Sequence, residues 1–279
     1  MSHLIRQAAV IANLAFHLGV WLVLLTVIML PLERLFALRQ NRRSNRQILA
    51  DLGFYFLNGI LPTFVLSIPL AVLTAALSYV TPEAYTDWVE GLPFGVKLAA
   101  GLVVAEIGAY WGHRLSHKSA FLWRFHSIHH APEHLDWLVN TRAHPVDVVF
   151  TRLCGLVPLY ALALAQPTGS GSVVALWISV IGTFWAFFIH ANMRWRLGPL
   201  EWLVSTPAFH HWHHTNDEYR DHNYAALLPV VDRMFGTHHL PNHWPPVYGV
   251  DEPPPEGFVG QLLHPLDPQG ARPPAASAP

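Results

Sequence analysis

The stretch 94–130 reads FGVKLAAGLVVAEIGAYWGHRLSHKSAFLWRFHSIHH and combines two features that predict the architecture of the protein. Its first half, 94–112, is an apolar run long enough to cross a bilayer core about 30 Å thick as a helix. Its second half carries an HxxxH and an HxxHH spacing, formed by His113, His117, His126, His129 and His130. Neutral imidazole is the commonest protein ligand for transition metals. The stretch therefore predicts a membrane-spanning helix that ends in a metal-binding segment.

The composition of the whole chain is typical of a membrane protein. Of its 279 residues, 52% are hydrophobic and 13% are charged, and the mean hydropathy is +0.28. Soluble domains carry about 25% charged residues. The formal net charge is -1, so no global basic field indicates nucleic acid as a partner. Cys154 is the single cysteine, which excludes an internal disulfide framework and a thiolate-rich metal site. Nitrogen and oxygen must therefore bind any metal.

The apolar pattern predicts an all-α fold, an integral membrane helical bundle with four to six spans, of which five is the favoured number. The stretches long enough to cross a bilayer are approximately 8–32, 52–80, 94–112, 146–165 and 172–191. The second stretch contains Pro62 and Pro69, which is compatible with either a kinked span or a re-entrant pair of helices.

The distribution of basic residues predicts the topology. Arginines and lysines are concentrated in 33–48, 113–144 and 192–240, whereas 81–93 has none, so basic loops alternate with loops that lack basic residues. Only Arg6, which precedes the first apolar stretch, argues mildly against this alternation. The positive-inside rule assigns the three basic segments to the cytoplasm. All dense histidine motifs then lie on one face, in a cytoplasmic helical cap over the bundle. We expect a multi-pass protein of a bacterial inner membrane with its site on the cytoplasmic side.

Three regions follow from this pattern. Residues 1–93 are predicted to form N-terminal transmembrane helices, and 94–244 a catalytic domain that contains the histidine motifs. Residues 245–279 are rich in proline and are predicted to form an extended or disordered tail.

Histidines continue beyond the first stretch. Twelve of the nineteen lie between 113 and 214, including a second HxxHH motif made of His210, His213 and His214. His190 stands alone at the end of an apolar run, where an ionisable residue is costly and usually functional. His144 is an open candidate, and His211 offers an alternative HxHH spacing. Seven further histidines are expected not to bind metal: His3, His17, His222, His238, His239, His243 and His264.

The spacing of these motifs suits two ions rather than one. Residues three and four apart share a helix face, whereas consecutive side chains diverge by about 100°. His129 and His130 can thus reach different ions, and so can His213 and His214. The two triplets, the HxxxH pair and His190 supply nine nitrogens, too many for one ion and suitable for two.

The residues alone leave the metal and the chemistry open. Imidazole suits Zn, Cu, Fe and Ni. Paired redox metals at a membrane surface suggest O2 activation and attack on a lipid C–H bond. A divalent-metal transporter or sensor is an alternative, although transporters place ionisable ligands near the bilayer midplane. A membrane zinc hydrolase is another, but no HExxH motif is present.

The ordered motifs resemble the fatty acid hydroxylase/sterol desaturase superfamily, and bacterial sterol desaturase family proteins in particular. The similarity covers about residues 95–240. It rests on Glu106-x-x-x-Tyr110-Trp111-x-His113-Arg114-x-x-His117, Leu122–His130, Leu135-Asp136-Trp137, Arg142-x-His144-Pro145, Phe188–Asn192, Thr206-Pro207-x-x-His210-His211-Trp212-His213-His214, Asn223-Tyr224 and Asp232–Thr237.

The resemblance implies a membrane-bound di-iron enzyme that hydroxylates or desaturates a C–H bond of a membrane lipid, fatty acyl or sterol-like, with O2 and external electrons. It implies the nine motif histidines as ligands. Some members carry a further histidine one turn before the position of His190, where this chain has Ala186. His144 is our candidate for that tenth ligand. No fused cytochrome b5 domain is expected, so a separate partner, cytochrome b5-like or a ferredoxin with its reductase, supplies the electrons.

Four polar residues are candidates for holding ligand rings through hydrogen bonds: Glu106, Asn192, Asn223 and Asp232. Glu106 lies two helical turns before His113, on the same face. Pairing with an arginine is an equally good interpretation of Glu106. The other three residues could instead cap helices and close turns.

Overall fold

The computed structural model describes residues 2–40, 43–166 and 169–267, and within these ranges the regular structure is helical. The α-helices are α1 (Ser2–Phe36), α2 (Asn45–Val65), α3 (Ser67–Val80), α4 (Glu83–Glu90), α5 (Phe94–Lys118), α6 (Ala120–His130), α7 (Pro145–Ala161), α8 (Gly169–His190), α9 (Pro207–His213), α10 (Val230–Phe235) and α11 (Phe258–Leu263). Short 3-10 turns occupy Trp137–Thr141, Gly198–Trp202 and His264–Leu266. The predicted all-α fold is confirmed.

Four helical segments of the described chain are long and apolar enough to cross a membrane: Ile5–Phe36, Asn45–Val80, Phe94–Lys118 and Gly171–His190. The favoured count of five spans is not confirmed. The predicted span 146–165 is α7, which has 17 residues and ends at Ala161. A turn follows in which Ala163 adopts a positive φ of 55°. The helix therefore stops short of the predicted stretch.

The second span is interrupted between α2 and α3. The break falls at Leu66, whose N–H still bonds to the carbonyl of Pro62 at 2.9 Å. Pro69 lies in the first turn of α3, where its missing N–H is tolerated because first-turn N–H groups have no partner within the helix. The pair of prolines thus divides one long apolar stretch into two consecutive helices, one of the alternatives expected from the sequence.

The three basic segments meet at one end of the bundle. Leu38 N–H donates to the carbonyl of Asn192 at 3.2 Å, and Arg194 N–H to that of Phe36 at 2.9 Å, so the ends of α1 and α8 are joined. Buried Asp51 in α2 accepts from Arg142 Nε at 2.5 Å and also pairs with Arg43. These contacts tie 33–48, 113–144 and 192–240 together. The side of the membrane they face stays a prediction.

Close packing of α5 on α7 depends on two glycines one turn apart. A Cβ on Gly108 would collide with the carbonyl oxygen of Cys154, and a Cβ on Gly112 would lie 2.8 Å from the Cβ of Cys154. Small residues at this spacing let membrane helices approach closely. Since α5 ends in His113 and His117, the contact also positions the histidine motifs.

Gly108→Ala is expected to destabilise the protein by about 2 kcal/mol, because overpacking a tight contact forces the backbones apart. The thermal unfolding midpoint in detergent measures the effect. Gly182→Ala is the matched control, since a Cβ there meets nothing within 4 Å. Equal midpoints for the two variants would contradict the packing argument.

The C-terminal region differs from the predicted extended tail. Phe258 of α11 packs against Phe54 of α2 with ring centroids 4.9 Å apart, and Arg124 donates to the carbonyl of Asp267 at 2.9 Å. An aromatic anchor in a short helix thus holds 245–267 on the bundle despite the prolines. Residues 268–279 of the predicted tail, and Arg42 of the basic segment, lie outside the described residues. The three predicted domain boundaries stay predictions.

Candidate metal centre

The nine motif histidines come from the ends of four helices. His113 and His117 occupy the last turns of α5, and Ser119 alone joins α5 to α6. The Ser119 hydroxyl accepts from Leu122 N–H at 3.3 Å and so begins α6 in a new direction. Thr206 caps α9 in the same way, with Pro207 in its first turn. His190 is the last residue of α8. The ends of these four helices therefore bring the nine histidines close together.

Two groups of imidazoles form there. The five-nitrogen group consists of His113, His117, His126, His130 and His213, and the four-nitrogen group of His129, His190, His210 and His214. Within each group the ligand atoms all lie within 4.8 Å of one another. Consecutive histidines separate between the groups, His129 from His130 and His213 from His214. The spacing argument from the sequence anticipated this division.

Hydrogen bonds at Nδ1 orient six of the nine rings, whereas the buried Nδ1 atoms of His210 and His214 have no hydrogen-bond partner in the described chain. In the five-nitrogen group, His113 Nδ1 contacts the carbonyl of Tyr224 at 2.8 Å, and His126 Nδ1 contacts Asp147 Oδ2 at 3.0 Å. Both partners only accept, so Nδ1 carries the proton and Nε2 keeps its lone pair. The remaining contacts in this group join His117 Nδ1 to Asp221 Oδ1 at 3.3 Å and His213 Nδ1 to the carbonyl of His222 at 2.8 Å.

In the four-nitrogen group, backbone carbonyls orient two of the rings. His129 Nδ1 donates to the carbonyl of Arg142 at 3.0 Å, and His190 Nδ1 to that of Ala186 at 2.7 Å. Ala186 stands where some family members are expected to carry a tenth histidine. In this chain its backbone orients His190 instead.

The arrangement of Nε2 atoms fits metal ions. His113 Nε2 and His126 Nε2 are 3.1 Å apart, and so are His129 Nε2 and His190 Nε2. Because each Nδ1 is protonated, these contacts bring two lone pairs together, which is unfavourable without a cation between them. Two nitrogens bound to one ion at about 2.1 Å lie roughly 3 Å apart. The observed separations match shared coordination.

Further observations in the described chain agree with this fit. The Nε2 atoms of His117 and His213 are buried without a hydrogen-bond partner there. Burial holds the pKa of His130 and His214 well below the ordinary value of 6.5, and neighbouring imidazoles lower it further. Both rings are therefore neutral at physiological pH, as metal ligands must be.

Comparison with known proteins agrees with the geometry. The family model for fatty acid hydroxylase matches residues 98–237, half of the chain, and this range contains all nine histidines. The chain belongs to the fatty acid hydroxylase family. The resemblance inferred from the motifs is confirmed. No solved structure matches the chain.

Relatives within this family include bacterial and animal enzymes. Ornithine lipid hydroxylase OlsE of Rhizobium tropici is 35% identical over 209 residues, which are 74% of this chain and 61% of that protein. Alkylglycerol monooxygenase of Homo sapiens is 35% identical over 150 residues, 53% of this chain and 32% of that protein. Very-long-chain aldehyde decarbonylase GL1-5 of rice is 30% identical over 181 residues, 60% and 28% of the two chains. The chain thus spans less than two thirds of these relatives.

His144, the candidate tenth ligand of this family member, lies outside both groups. It caps α7, where its Nδ1 accepts from Val146 N–H at 3.1 Å, and its Nε2 contacts the carbonyl of Leu262 at 3.2 Å. The carbonyl can only accept, so Nε2 carries the proton and neither nitrogen retains a lone pair for a metal. This geometry disagrees with the sequence-based assignment.

His211, the alternative ligand, is also turned away from the metal groups. Its Nε2 contacts the carbonyl of Ala191 at 3.1 Å, and its Nδ1 contacts the hydroxyl of Tyr248 at 2.9 Å. Of the histidines predicted not to bind metal, His222, His238, His239, His243 and His264 lie outside both groups. His222 contributes to the site through its backbone carbonyl, which contacts His213 Nδ1 at 2.8 Å.

Glu106 and Asp232 do not touch ligand rings. Glu106 Oε1 accepts from Leu227 N–H at 2.7 Å and Leu228 N–H at 3.0 Å, and no arginine of the described residues pairs with it. Asp232 accepts from the N–H groups of Tyr224 and Ala225, each at 2.8 Å. Together they hold the backbone whose Tyr224 carbonyl orients His113. Both residues therefore act on the site through this backbone. The direct hydrogen bond to a ligand ring that was expected for them is not observed.

Asn192 and Asn223 close turns, as the alternative interpretation expected. Asn192 exchanges hydrogen bonds with the backbone of Arg39, at 2.8 and 3.1 Å. Asn223 adopts a positive φ of 59°, which asparagine tolerates, and its Nδ2 donates to the carbonyl of Phe209 at 2.9 Å. Direct contact with a ligand ring is found for neither side chain.

Two carboxylates that do contact ligand rings, Asp147 and Asp221, were missed. Asp147 was detectable, because it is the one acidic residue in the apolar stretch 146–165 and such residues are usually functional. Asp221 gave no comparable signal. It lies in a polar segment and reaches His117 only through the fold.

Proposed function

We propose that this chain is an O2-dependent oxidoreductase that hydroxylates a C–H bond of a membrane lipid at two iron ions. The carrying observation is the pair of imidazole groups, with inward-facing Nε2 atoms, at the common end of α5 and α8. The names of two relatives, ornithine lipid hydroxylase and alkylglycerol monooxygenase, support hydroxylation and a lipid substrate.

The reaction balances as RH + O2 + 2 e⁻ + 2 H⁺ → ROH + H2O. Bound iron supplies the redox chemistry that reduces O2 and oxidises the C–H bond. The electrons come from a separate one-electron carrier, cytochrome b5-like or a ferredoxin with its reductase. The lipid reaches the site from the bilayer, since the histidines lie at the ends of candidate spans.

The protein residues have separate tasks in this proposal. The imidazoles bind the ions through Nε2, and the carbonyls of Tyr224, Arg142 and Ala186 keep the proton on Nδ1. Asp147 adds a negative charge beside His126, which raises the basicity of a ligand ring. Burial of the rings limits access of water and so favours reaction with lipid.

We further propose that the site lies on the cytoplasmic side of a bacterial inner membrane. The support is electrostatic. The segments that carry most of the arginines meet at the end of the bundle where the histidines lie. A reductant from the cytoplasm could then reach the site without crossing the bilayer.

Anaerobic purification with metal analysis tests the proposed function. We expect two irons per chain, one for each imidazole group, and O2 uptake that requires both a reductant and a lipid. The lipid product gains one oxygen atom by mass spectrometry. One zinc with activity in the absence of O2 would instead support a hydrolase. Metal flux into vesicles without lipid oxidation would support a transporter. Lipid analysis of a deletion strain against its parent identifies the substrate.

A further inference from the structure

A pocket of about 740 Å³ lies where α1 ends. Four chain segments form its walls: the last turn of α1 with the residues after it, the first turn of α2 at Ile48, the 3-10 turn that begins at Trp137, and the stretch after α8 at Asn192. Its size is that of a site for a small organic group. It opens at the C-terminal end of a candidate membrane span.

Glu33 is an acidic residue in the lining of the pocket. One carboxylate oxygen, Oε1, accepts from the N–H groups of Trp137 and Asn192, each at 2.8 Å. None of the ion pairs in the described part of the chain involves Glu33. Asp136, the other acidic residue in the lining, forms an ion pair with Arg43 at 2.7 Å. Glu33 therefore lines the pocket with no ion-pair partner among the described residues.

Arg34 and Arg39 are basic residues in the lining of the pocket. Arg34 is exposed, and no hydrogen bond or ion pair joins it to the described residues. The Arg39 guanidinium lies 4.6 Å from the centroid of the Tyr248 ring and donates to the carbonyl of Pro245. The lining of the pocket thus combines an acidic residue, Glu33, with basic residues, Arg34 and Arg39.

An apolar surface leads from the pocket along α1. Leu30, Ile48 and Leu138 line the pocket itself, and Val27 and Ile28 are exposed on the preceding turn of α1. A lipid can place its chains along this face while its headgroup stays at the membrane boundary, where charged groups remain hydrated. The surface is suited to an amphiphile rather than to a wholly polar ligand.

The same segments position the four-nitrogen group. Asn192 follows His190 by two residues, and the turn Trp137–Thr141 leads into Arg142, whose carbonyl orients His129. We propose that this pocket binds the headgroup of the lipid substrate, and that this headgroup carries both an ammonium and an anionic group. The ammonium group contacts Glu33, and the anionic group contacts Arg34. This inference rests on the proposed function.

Titration of short-chain lipids into the full-length protein in a neutral detergent tests the proposal without O2 or reductant. The probes are dihexanoyl phosphatidylethanolamine, which has both charges, and dihexanoyl phosphatidylglycerol, which lacks the ammonium group. We expect roughly tenfold tighter binding of phosphatidylethanolamine, the gain typical of one charge-assisted contact. Glu33→Gln should abolish this preference, since Gln still accepts the two backbone N–H bonds but has no charge. Arg34→Gln should weaken both lipids.

Arg6→Gln is the matched control, because it removes a cation from the far end of the same helix. Equal binding of the two lipids by the unmodified protein, or a preference that survives in Glu33→Gln, would overturn the inference. The surface variant Arg34→Gln keeps the test informative if Glu33→Gln fails to fold. Headgroup-selective binding without any O2-dependent product would refute the proposed function alone. O2-dependent product from both lipids alike, with no binding preference, would refute the headgroup inference alone.

Discussion

Replacing His129 or His213 by alanine is expected to abolish lipid oxidation and to lower the iron content of the purified protein. His129 belongs to the four-nitrogen group and His213 to the five-nitrogen group, so each variant damages a different group. In the proposed reaction both ions take part, and loss of either group is therefore expected to stop turnover. Iron per chain and oxygen uptake measure the two effects.

Two histidines serve as matched controls for these variants. His264→Ala should change neither metal content nor turnover, because this residue lies outside both groups. His144→Ala is the sharper comparison. It removes a buried histidine from the same motif region, but one whose nitrogens are both occupied by hydrogen bonds. Full activity in His129→Ala, or loss of iron in His144→Ala, would contradict the assignment of ligands.

Asp147→Ala is expected to reduce iron affinity by about 10- to 100-fold, the usual cost of losing the partner of a ligand histidine. Asp147 Oδ2 lies 3.0 Å from His126 Nδ1, and Oδ1 accepts from Ser116 Oγ at 3.3 Å. Without the carboxylate, the His126 ring loses both its orientation and the negative charge that raises its basicity. Competition with a chelator measures the change in affinity.

Asp87→Ala is the control for this variant, since Asp87 is an exposed carboxylate on α4, remote in sequence from the histidine motifs. Asp147→Asn separates the two contributions, because the amide oxygen still accepts a hydrogen bond but carries no charge. We expect an intermediate loss of affinity in Asp147→Asn. An unchanged chelator titration in Asp147→Ala would show that His126 does not depend on this carboxylate.

The helical class, the apolar spans and the histidine motifs could all be predicted from the amino-acid sequence. These properties depend on residues close together in the chain. Apolar runs of about 20 residues specify spans, and the 3.6-residue helical period sends His129 and His130 in different directions. The nine histidines that converge were identified in this way, as was the division of each HxxHH motif between two imidazole groups.

Only the tertiary structure decided which polar groups orient those histidines. The partners are far away in sequence: Tyr224 lies 111 residues from His113, and Asp221 lies 104 residues from His117. Local periodicity carries no information about such pairs. For the same reason Glu106 was expected at a ligand ring, but it holds the backbone at Leu227, and His144 was expected at a metal, but it caps α7. A side chain contacts whatever the packing of α5, α7 and the segment 221–228 brings within hydrogen-bonding distance.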